Sequence, residues 1–287
     1  MFSNSRGFLK LFTLSLSLLL PTFYSVNAQD LQLLPMRVVF EGSNQVEVLN
    51  VINSGADTST YSISFIQYRM TENGAMESIT APDSGQQFAD KNIRYFPRKV
   101  RLAPGEAQAV KVQVYRASQL APGEYRSHLY FKKEMDEAPF GTITDQADQT
   151  ESEGISMQIV PVFGITIPVI IRAGAASAQV ELSDLSLVRD EKGNSLLNLK
   201  LNRTGNKSVY GKLEVQHIAP TGEKTQVGLV KGVAVYTPNT ARTFLLSLAQ
   251  EAVTNYQAGK LLVVYRDMEG NKETVLAQAA LQLESGN

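Results

Sequence analysis

The amino-acid sequence predicts an all-β chain arranged as two sandwich domains in tandem. Two observations predict it: short runs of alternating apolar and polar residues recur along most of the chain, and turn-forming residues separate them. A β-strand places successive side chains on opposite faces, so a period of two indicates strands with one buried face. The clearest runs lie at 45–53, 61–70, 109–115, 125–133, 180–188, 195–202, 211–218, 242–248, 260–266 and 274–283.

Turn signals and one linker predict where the domains divide. Pairs such as Asn73-Gly74 and Pro122-Gly123 favour tight connections between the runs. The segment RAGAAS (172–177) has small residues and no periodicity, and about seven strand-like runs lie on each side of it. About seven strands are typical of an immunoglobulin-like sandwich. We therefore predict an N-terminal immunoglobulin-like domain over 29–172 and a C-terminal one over 178–287.

Composition excludes several classes of function. The chain has 287 residues, of which 43% are hydrophobic, so two packed cores can form. Its formal net charge is -1, so the composition does not predict the positively charged surface that binds nucleic acid, and no nucleic-acid partner is expected. Because the sequence contains no cysteine, disulfides, thiolate zinc sites and catalytic thiols are excluded.

Motifs for catalysis or cofactor binding are also lacking. The two histidines, His128 and His217, lie in alternating runs of different halves, which favours surface or cleft positions over a catalytic base. The sequence has no glycine-rich phosphate loop and no cluster with metal-ligand spacing. We therefore expect a protein that is not an enzyme and binds no cofactor or metal ion.

The first 28 residues have the features of a secretory signal peptide. Arg6 and Lys10 precede an apolar run (11–20), and VNA (26–28) matches a small-residue cleavage site. The alternative is an uncleaved membrane anchor, but the apolar run is short for a span of about 20 residues. We therefore expect residues 1–28 to be cleaved off, with export to the bacterial periplasm and no stable membrane insertion.

An apolar stretch at 155–171 is the most unusual feature of the sequence. Its odd-numbered positions are all apolar, whereas its even-numbered positions include Ser156, Gln158 and Thr166. A strand sorts residues by parity in this way, so we favour it over a transmembrane helix, which would contain two prolines. At about 3.3 Å per residue such a strand spans roughly 55 Å, more than one edge of a small sandwich. The polar segment before it (134–154) is expected to be a long loop.

The prolines of this stretch, Pro161 and Pro168, each remove a backbone donor, which favours a position at a sheet edge. We therefore predict an edge strand, and such an edge is open to pairing with another chain. Two interpretations stay open: the odd face fills its own domain's core, as expected for Ile165 to Ile171, or Met157 to Phe163 is lent to a partner. Burying four such side chains contributes about 6–12 kcal/mol before ordering costs.

Four segments, taken in order, carry a resemblance to a known family. PMRVVFEG (35–42) looks like its first-strand motif, and FPRKVRLAPGEAQAVKVQV (96–114) is similar to its proline-containing strand, Pro-Gly turn and alternating strand. LAPGEYRSHLYFKK (120–133) looks like its strand before the loop, and LNRTGNKSVYGKLEV (201–215) resembles its more divergent members. With the signal peptide and the apolar edge, the mature chain resembles the PapD-like periplasmic chaperones of pilus assembly.

The resemblance implies an activity, donor-strand complementation. A pilus or fimbrial subunit lacks the last strand of its own sandwich, and the chaperone supplies one until an outer-membrane usher or another subunit replaces it. The inserting face predicted by parity comprises Met157, Ile159 and Phe163, with Pro161 as a weak substitute. The alternative is a surface adhesin or pilus structural component built from two sandwiches.

The resemblance also implies that two basic residues bind the subunit's C-terminal carboxylate in the cleft between the domains. Arg37 matches the first, and a guanidinium can bind a carboxylate through two parallel hydrogen bonds. The second is a lysine in the family, and Pro168 stands at its place in this chain. Either Arg172, on the same strand face, takes this role, or the carboxylate is held differently.

Overall fold

A computed structural model describes residues 30–134, 163–250, 256–269 and 273–283 of the chain. The predicted signal peptide lies outside these ranges. Within them the chain forms strands and two short 3-10 turns, and no α-helix occurs. No helix in the described ranges has the length and apolar character needed to cross a bilayer.

The strands divide along the chain into a first and a second half. Those of the first half are β1 (Leu31–Leu34), β2 (Val38–Glu41), β3 (Val46–Asn53), β4 (Ser59–Ile66), β5 (Tyr68–Met70), β6 (Met76–Ser78), β7 (Ile93–Phe96), β8 (Lys99–Leu102), β9 (Ala107–Val114), β10 (Gly123–Lys133) and β11 (Gly164–Ala173). Those of the second half are β12 (Ala178–Arg189), β13 (Ser195–Gly205), β14 (Val209–Ile218), β15 (Lys224–Val235), β16 (Ala241–Ser247), β17 (Gly259–Asp267) and β18 (Val275–Leu283).

Two sheets form the first sandwich. The strand order is β1-β3-β9-β7 in one sheet and β2-β11-β10-β4-β8 in the other. The alternating side chains of both sheets meet in one core that includes Phe40, Leu49, Leu129 and Phe131, all at most 1% exposed. The chain changes sheets between β1 and β2, and this places Arg37 directly before the first residue of β2.

The second sandwich has the same construction. Its sheets have the orders β12-β13-β16 and β15-β14-β17-β18. In β13 and β14 every second residue is buried, as the period-two runs predict, and Leu199 and Leu213 lie in the centre of the core. The prediction of two immunoglobulin-like β-sandwiches in tandem is therefore confirmed.

The hairpin of β5 and β6 connects the first sandwich to the second, and we call it the clasp hairpin. The backbone N–H of Thr243 donates to the carbonyl oxygen of Glu72 in its turn at 2.8 Å. The Asn239 amide donates to the carbonyl oxygen of Met70 at 2.8 Å, and Lys200 forms an ion pair with Glu72 at 3.2 Å. These contacts add two hydrogen bonds to backbone carbonyl groups and one ion pair to the interface between the two sandwiches.

A small apolar cluster completes the contact between the sandwiches. It consists of Met70, Ile170, Ala234 and Tyr236, all less than 10% exposed. Ile170 belongs to β11, whose odd-numbered residues face the first core. One strand therefore packs on both sides, and its even-numbered face points to the second sandwich.

Candidate functional site

Strand β11 has an unpaired edge over its first half. It pairs antiparallel with β10 along its whole length, from Gly164 to Ala173. On its other side it pairs with β2, in parallel, and only over Val169–Arg172. Among the described residues, the segment Gly164–Pro168 therefore has a neighbouring strand on one side only. We call this segment the free edge.

The backbone groups of the free edge have a defined direction. The N–H of Lys133 donates to the carbonyl oxygen of Phe163 at 3.0 Å, so the odd-numbered residues of β11 turn their backbone groups towards β10. The even-numbered residues then turn theirs to the opposite side. Gly164 and Thr166 each present an N–H and a C=O there, whereas Pro168 presents a C=O alone.

The side chains of β11 confirm part of the parity analysis. Ile167, Val169 and Ile171 are at most 3% exposed, and Ile165 packs against the same core. The expectation that Ile165 to Ile171 fills the first domain's own core is confirmed. By contrast, the prediction of an edge strand is wrong for the second half of β11, because β2 covers that half on its outer side.

The predicted inserting residues are described only at their last member. Phe163 precedes β11, and its side chain is 67% exposed. Met157, Ile159 and Pro161 lie outside the described residues. The inserting face stays a prediction, and it would continue directly into the free edge.

Arg37 stands at the end of the free edge. The register pairs Val38 with Val169, so Arg37 comes next to Pro168 along the outer side of β11. Its Nε and Nη2 donate to Oε1 of Glu269 at 3.1 and 2.7 Å, and its Nη1 donates to the hydroxyl of Tyr236 at 3.0 Å. The guanidinium also lies 4.8 Å from the ring centre of Tyr210.

Arg172 is held by three carboxylates. Its guanidinium binds Glu124 at 3.2 Å, Glu41 at 3.1 Å and Glu269 at 2.8 Å. The Arg172 side chain is 2% exposed. Burial alone would lower the pKa of Arg172, but Glu269 and Glu124 outweigh it and the pKa lies above its ordinary value.

Glu269 brings the two predicted anchor residues together. Its carboxylate accepts hydrogen bonds from Arg37 and Arg172 at once. With Glu41 and Glu124 these residues form what we call the interdomain ion cluster, which contains two cations and three carboxylates. The cluster borders a cavity of about 560 Å³ between the sandwiches, lined also by Tyr210.

The acidic members of the cluster were missed by the sequence reasoning. Glu124 follows a Pro-Gly turn at the start of β10, and its side chain is 0% exposed. It accepts hydrogen bonds from the backbone N–H and hydroxyl of Ser208 and from the hydroxyl of Thr237. Glu269 lies in the connection between β17 and β18. No local pattern in the sequence distinguishes these two glutamates from surface acids.

His128 is buried between the sandwiches on β10. It pairs in register with Pro168, and the ring of Tyr68 stands edge-on to it with centres 5.0 Å apart. Burial, followed by the positive charges of Arg126 and Arg37, lowers the pKa of His128 to about 3. The imidazole is therefore neutral in the folded protein at neutral pH.

We expect His128 to make the fold less stable in acid. The unfolded chain binds a proton near the ordinary histidine pKa of about 6.5, whereas the folded chain does so only near the lowered pKa, so stability is lost as the pH falls. Between pH 7 and pH 5 this loss amounts to about 2 kcal/mol in the free energy of unfolding. Urea unfolding of wild type and His128→Gln at both pH values measures it. Equal losses in the two proteins would contradict the assignment.

Comparisons with known proteins find matches among solved structures. No protein-family model and no curated protein sequence matches the chain. Solved structures do match, among them the YadV chaperone, at 10% identity and a TM-score of 0.44 over 89% of this chain and 100% of that one. A chain of the CsuC-CsuE chaperone–tip adhesion subunit complex from Acinetobacter baumannii matches at 12% identity and a TM-score of 0.43, over 85% of this chain and 96% of that one. These are structures of fimbrial chaperones.

A further match is also to a structure that contains a chaperone. A chain of the Salmonella enterica SafA pilin–SafB chaperone complex matches at 14% identity and a TM-score of 0.42, over 88% of this chain and 96% of that one. The chain is thus similar to fimbrial chaperones over most of its length. At identities and TM-scores this low, its function has to follow from its own residues.

Proposed function

We propose that this protein is a chaperone that binds pilus or fimbrial subunits by adding a strand to them at the free edge of β11. The observation that carries the proposal is the set of unpaired backbone groups at Gly164, Thr166 and Pro168. An exposed sheet edge of this kind pairs readily with an extended chain. The alternating stretch before Phe163 would lengthen the edge and supply apolar side chains on one face.

The geometry favours a subunit strand that runs parallel to β11. Such a strand would lie in line with β2, which is itself parallel to β11, and its carboxyl end would meet Arg37. A strand of the opposite direction would bring its amino terminus to the same guanidinium, and two positive charges repel each other. The parallel direction therefore brings a carboxylate to a cation.

Pro168 fits the end of this added strand. In a parallel ladder, a residue opposite Ile165 donates to the carbonyl of Gly164 and accepts from the N–H of Thr166. The residue opposite Ile167 donates to Thr166 but finds no N–H at Pro168. We propose that the subunit chain ends at this point and that Arg37 supplies the missing donors to its carboxylate.

Arg172 would support this anchor from inside the protein. Because the Arg172 side chain is buried among three carboxylates, it can contact only groups that enter the cleft. We propose that Arg37 binds the subunit carboxylate directly and that Arg172 fixes the cluster around it. Periplasmic location after signal cleavage and delivery to an outer-membrane usher are part of the same proposal.

The parity of the stretch before β11 gives a matched test. Co-expression of the chaperone with a fimbrial subunit from the same operon would yield a complex that can be purified and quantified. We expect Ile159→Asp to reduce the yield at least about tenfold, since burying a charge in the subunit core is costly. Gln158→Asp adds the same charge one residue away, on the opposite face, and is expected to leave the yield near that of wild type.

The result that contradicts the proposal is equally clear. If Ile159→Asp and Gln158→Asp give the same amount of complex, the stretch does not insert by parity. Circular dichroism of both free variants controls for folding. A matching test at the described end of the stretch is Phe163→Asp.

A further inference from the structure

Glu269 already binds the Arg37 guanidinium, which the proposed function assigns to the subunit carboxylate. A carboxylate binds arginine best through two parallel hydrogen bonds, and Nε with Nη2 forms one such pair of donors. In Arg37 both of these atoms donate to Oε1 of Glu269, at 3.1 and 2.7 Å. The remaining nitrogen, Nη1, donates to Tyr236. An arriving carboxylate therefore finds the Nε–Nη2 pair of Arg37 already occupied by Glu269, with one N–H left on each of Nη1 and Nη2.

The charges around Arg37 reinforce this closure. Two arginines face three carboxylates in the interdomain ion cluster, and the Arg37 side chain is 10% exposed. A fourth carboxylate bound at the same guanidinium atoms would lie close to Glu269, and like charges in a partly buried site are poorly screened. It would be accommodated if Glu269 withdrew.

Glu269 is placed where it can withdraw. It lies in the connection after β17 and not inside a strand, and its side chain is 13% exposed. Its backbone N–H donates to the Asp267 carboxylate at 3.0 Å, which ties its main chain to the end of β17 while leaving the side chain on the cavity surface. Arg172 keeps Glu124 and Glu41 as partners when Glu269 turns away.

We propose that Glu269 is an internal competitor for the subunit's terminal carboxylate, so that the Nε–Nη2 pair of Arg37 accepts a subunit carboxylate only when that carboxylate displaces Glu269. This inference rests on the proposed function and specifies its selectivity. When the subunit carboxylate displaces Glu269 from Arg37, one carboxylate replaces another, so this step contributes little net binding free energy. Most of the affinity for a subunit must then come from strand addition at the free edge. A peptide that offers only a terminal carboxylate, without an added strand, is expected to bind weakly.

Two synthetic peptides of the same sequence provide the probe. They alternate valine and threonine after two amino-terminal lysines, and one ends in a free carboxylate, the other in an amide. We expect wild type to bind both within about threefold, since the gain at Arg37 is offset by the loss of Glu269. In Glu269→Gln the acid peptide is expected to bind about tenfold tighter than in wild type, with the amide peptide unchanged.

The matched control removes a carboxylate from the same hairpin. Glu273 is 65% exposed, and its partner is Lys212 and not Arg37 or Arg172. Glu273→Gln is therefore expected to bind both peptides as wild type does. In the double variant Arg37→Ala/Glu269→Gln the gain for the acid peptide should vanish, which assigns it to Arg37.

The outcomes separate the two proposals. If Glu269→Gln binds the acid peptide no better than wild type, the competitor role is overturned while strand addition stands. If wild type already binds the acid peptide tenfold or more tighter than the amide peptide, the competitor role of Glu269 is overturned. This comparison uses wild type alone, so the test still works if Glu269→Gln does not fold. If neither peptide binds to any of the proteins, strand addition fails and the inference falls with it.

Discussion

Replacing Arg172 with methionine is expected to lower the free energy of unfolding by about 3–5 kcal/mol. The substitution removes the ion-pair partner of Glu124, whose side chain is fully buried, and it also removes one of the two arginines that bind Glu269. A buried carboxylate left without its cation is a severe defect in a low-dielectric interior. Urea unfolding at neutral pH, followed by circular dichroism, measures the effect.

Glu41 offers the comparison within the same cluster. It also binds Arg172, but its side chain is 49% exposed, so solvent screens the interaction. We expect Glu41→Gln to cost less than about 1 kcal/mol. A cost for Arg172→Met no larger than that of Glu41→Gln would show that the cluster contributes little to stability.

Replacing Thr166 with proline is expected to weaken subunit binding by about tenfold or more. The N–H of Thr166 points to the free edge, and after the substitution both Thr166 and Pro168 would lack donors there. An added strand would then lose a backbone hydrogen bond and leave its own carbonyl unpaired, at a cost of about 1–3 kcal/mol. Binding of a purified fimbrial subunit measures the loss.

The same variant should fold nearly normally. Thr166 makes no backbone hydrogen bond to β10, because the odd-numbered residues of β11 make those bonds, so the free energy of unfolding should change by about 1 kcal/mol or less. Thr166→Val keeps the N–H and serves as the control that should bind like wild type. If Thr166→Pro binds subunits as tightly as Thr166→Val, strand addition does not occur at this edge.

Period-two patterning made the fold predictable from the sequence. β13 and β14 repeat the alternation of 195–202 and 211–218 because each strand has one face on a core. The pattern is less informative where strands bend. The run at 61–70 reads as one strand, but the structure divides it into β4 and β5. β15 was not predicted, since Gly228 and Gly232 interrupt its alternation and register shifts accompany it.

The candidate site was predictable in part. Arg37 and Arg172 were predicted as anchor residues because a family motif surrounds the first and the strand pattern positions the second, and the structure brings both to Glu269. Their shared partner, Glu269, is 232 residues from Arg37 in sequence, and only the packing of the two sandwiches brings it to the cleft. The same holds for Glu124, which pairs with Arg172 across 48 residues. Such distant pairings leave no periodic trace in a single sequence.

The clasp hairpin affects how the two sandwiches are held relative to each other when a partner binds. The halves are joined at two places, the interdomain ion cluster and the contacts of Glu72 with Thr243 and Lys200. Torsion about the linker at 174–177 would have to break both tethers at once. The contacts of Glu72 do not involve Glu269, so they continue to join the halves when Glu269 turns away from Arg37.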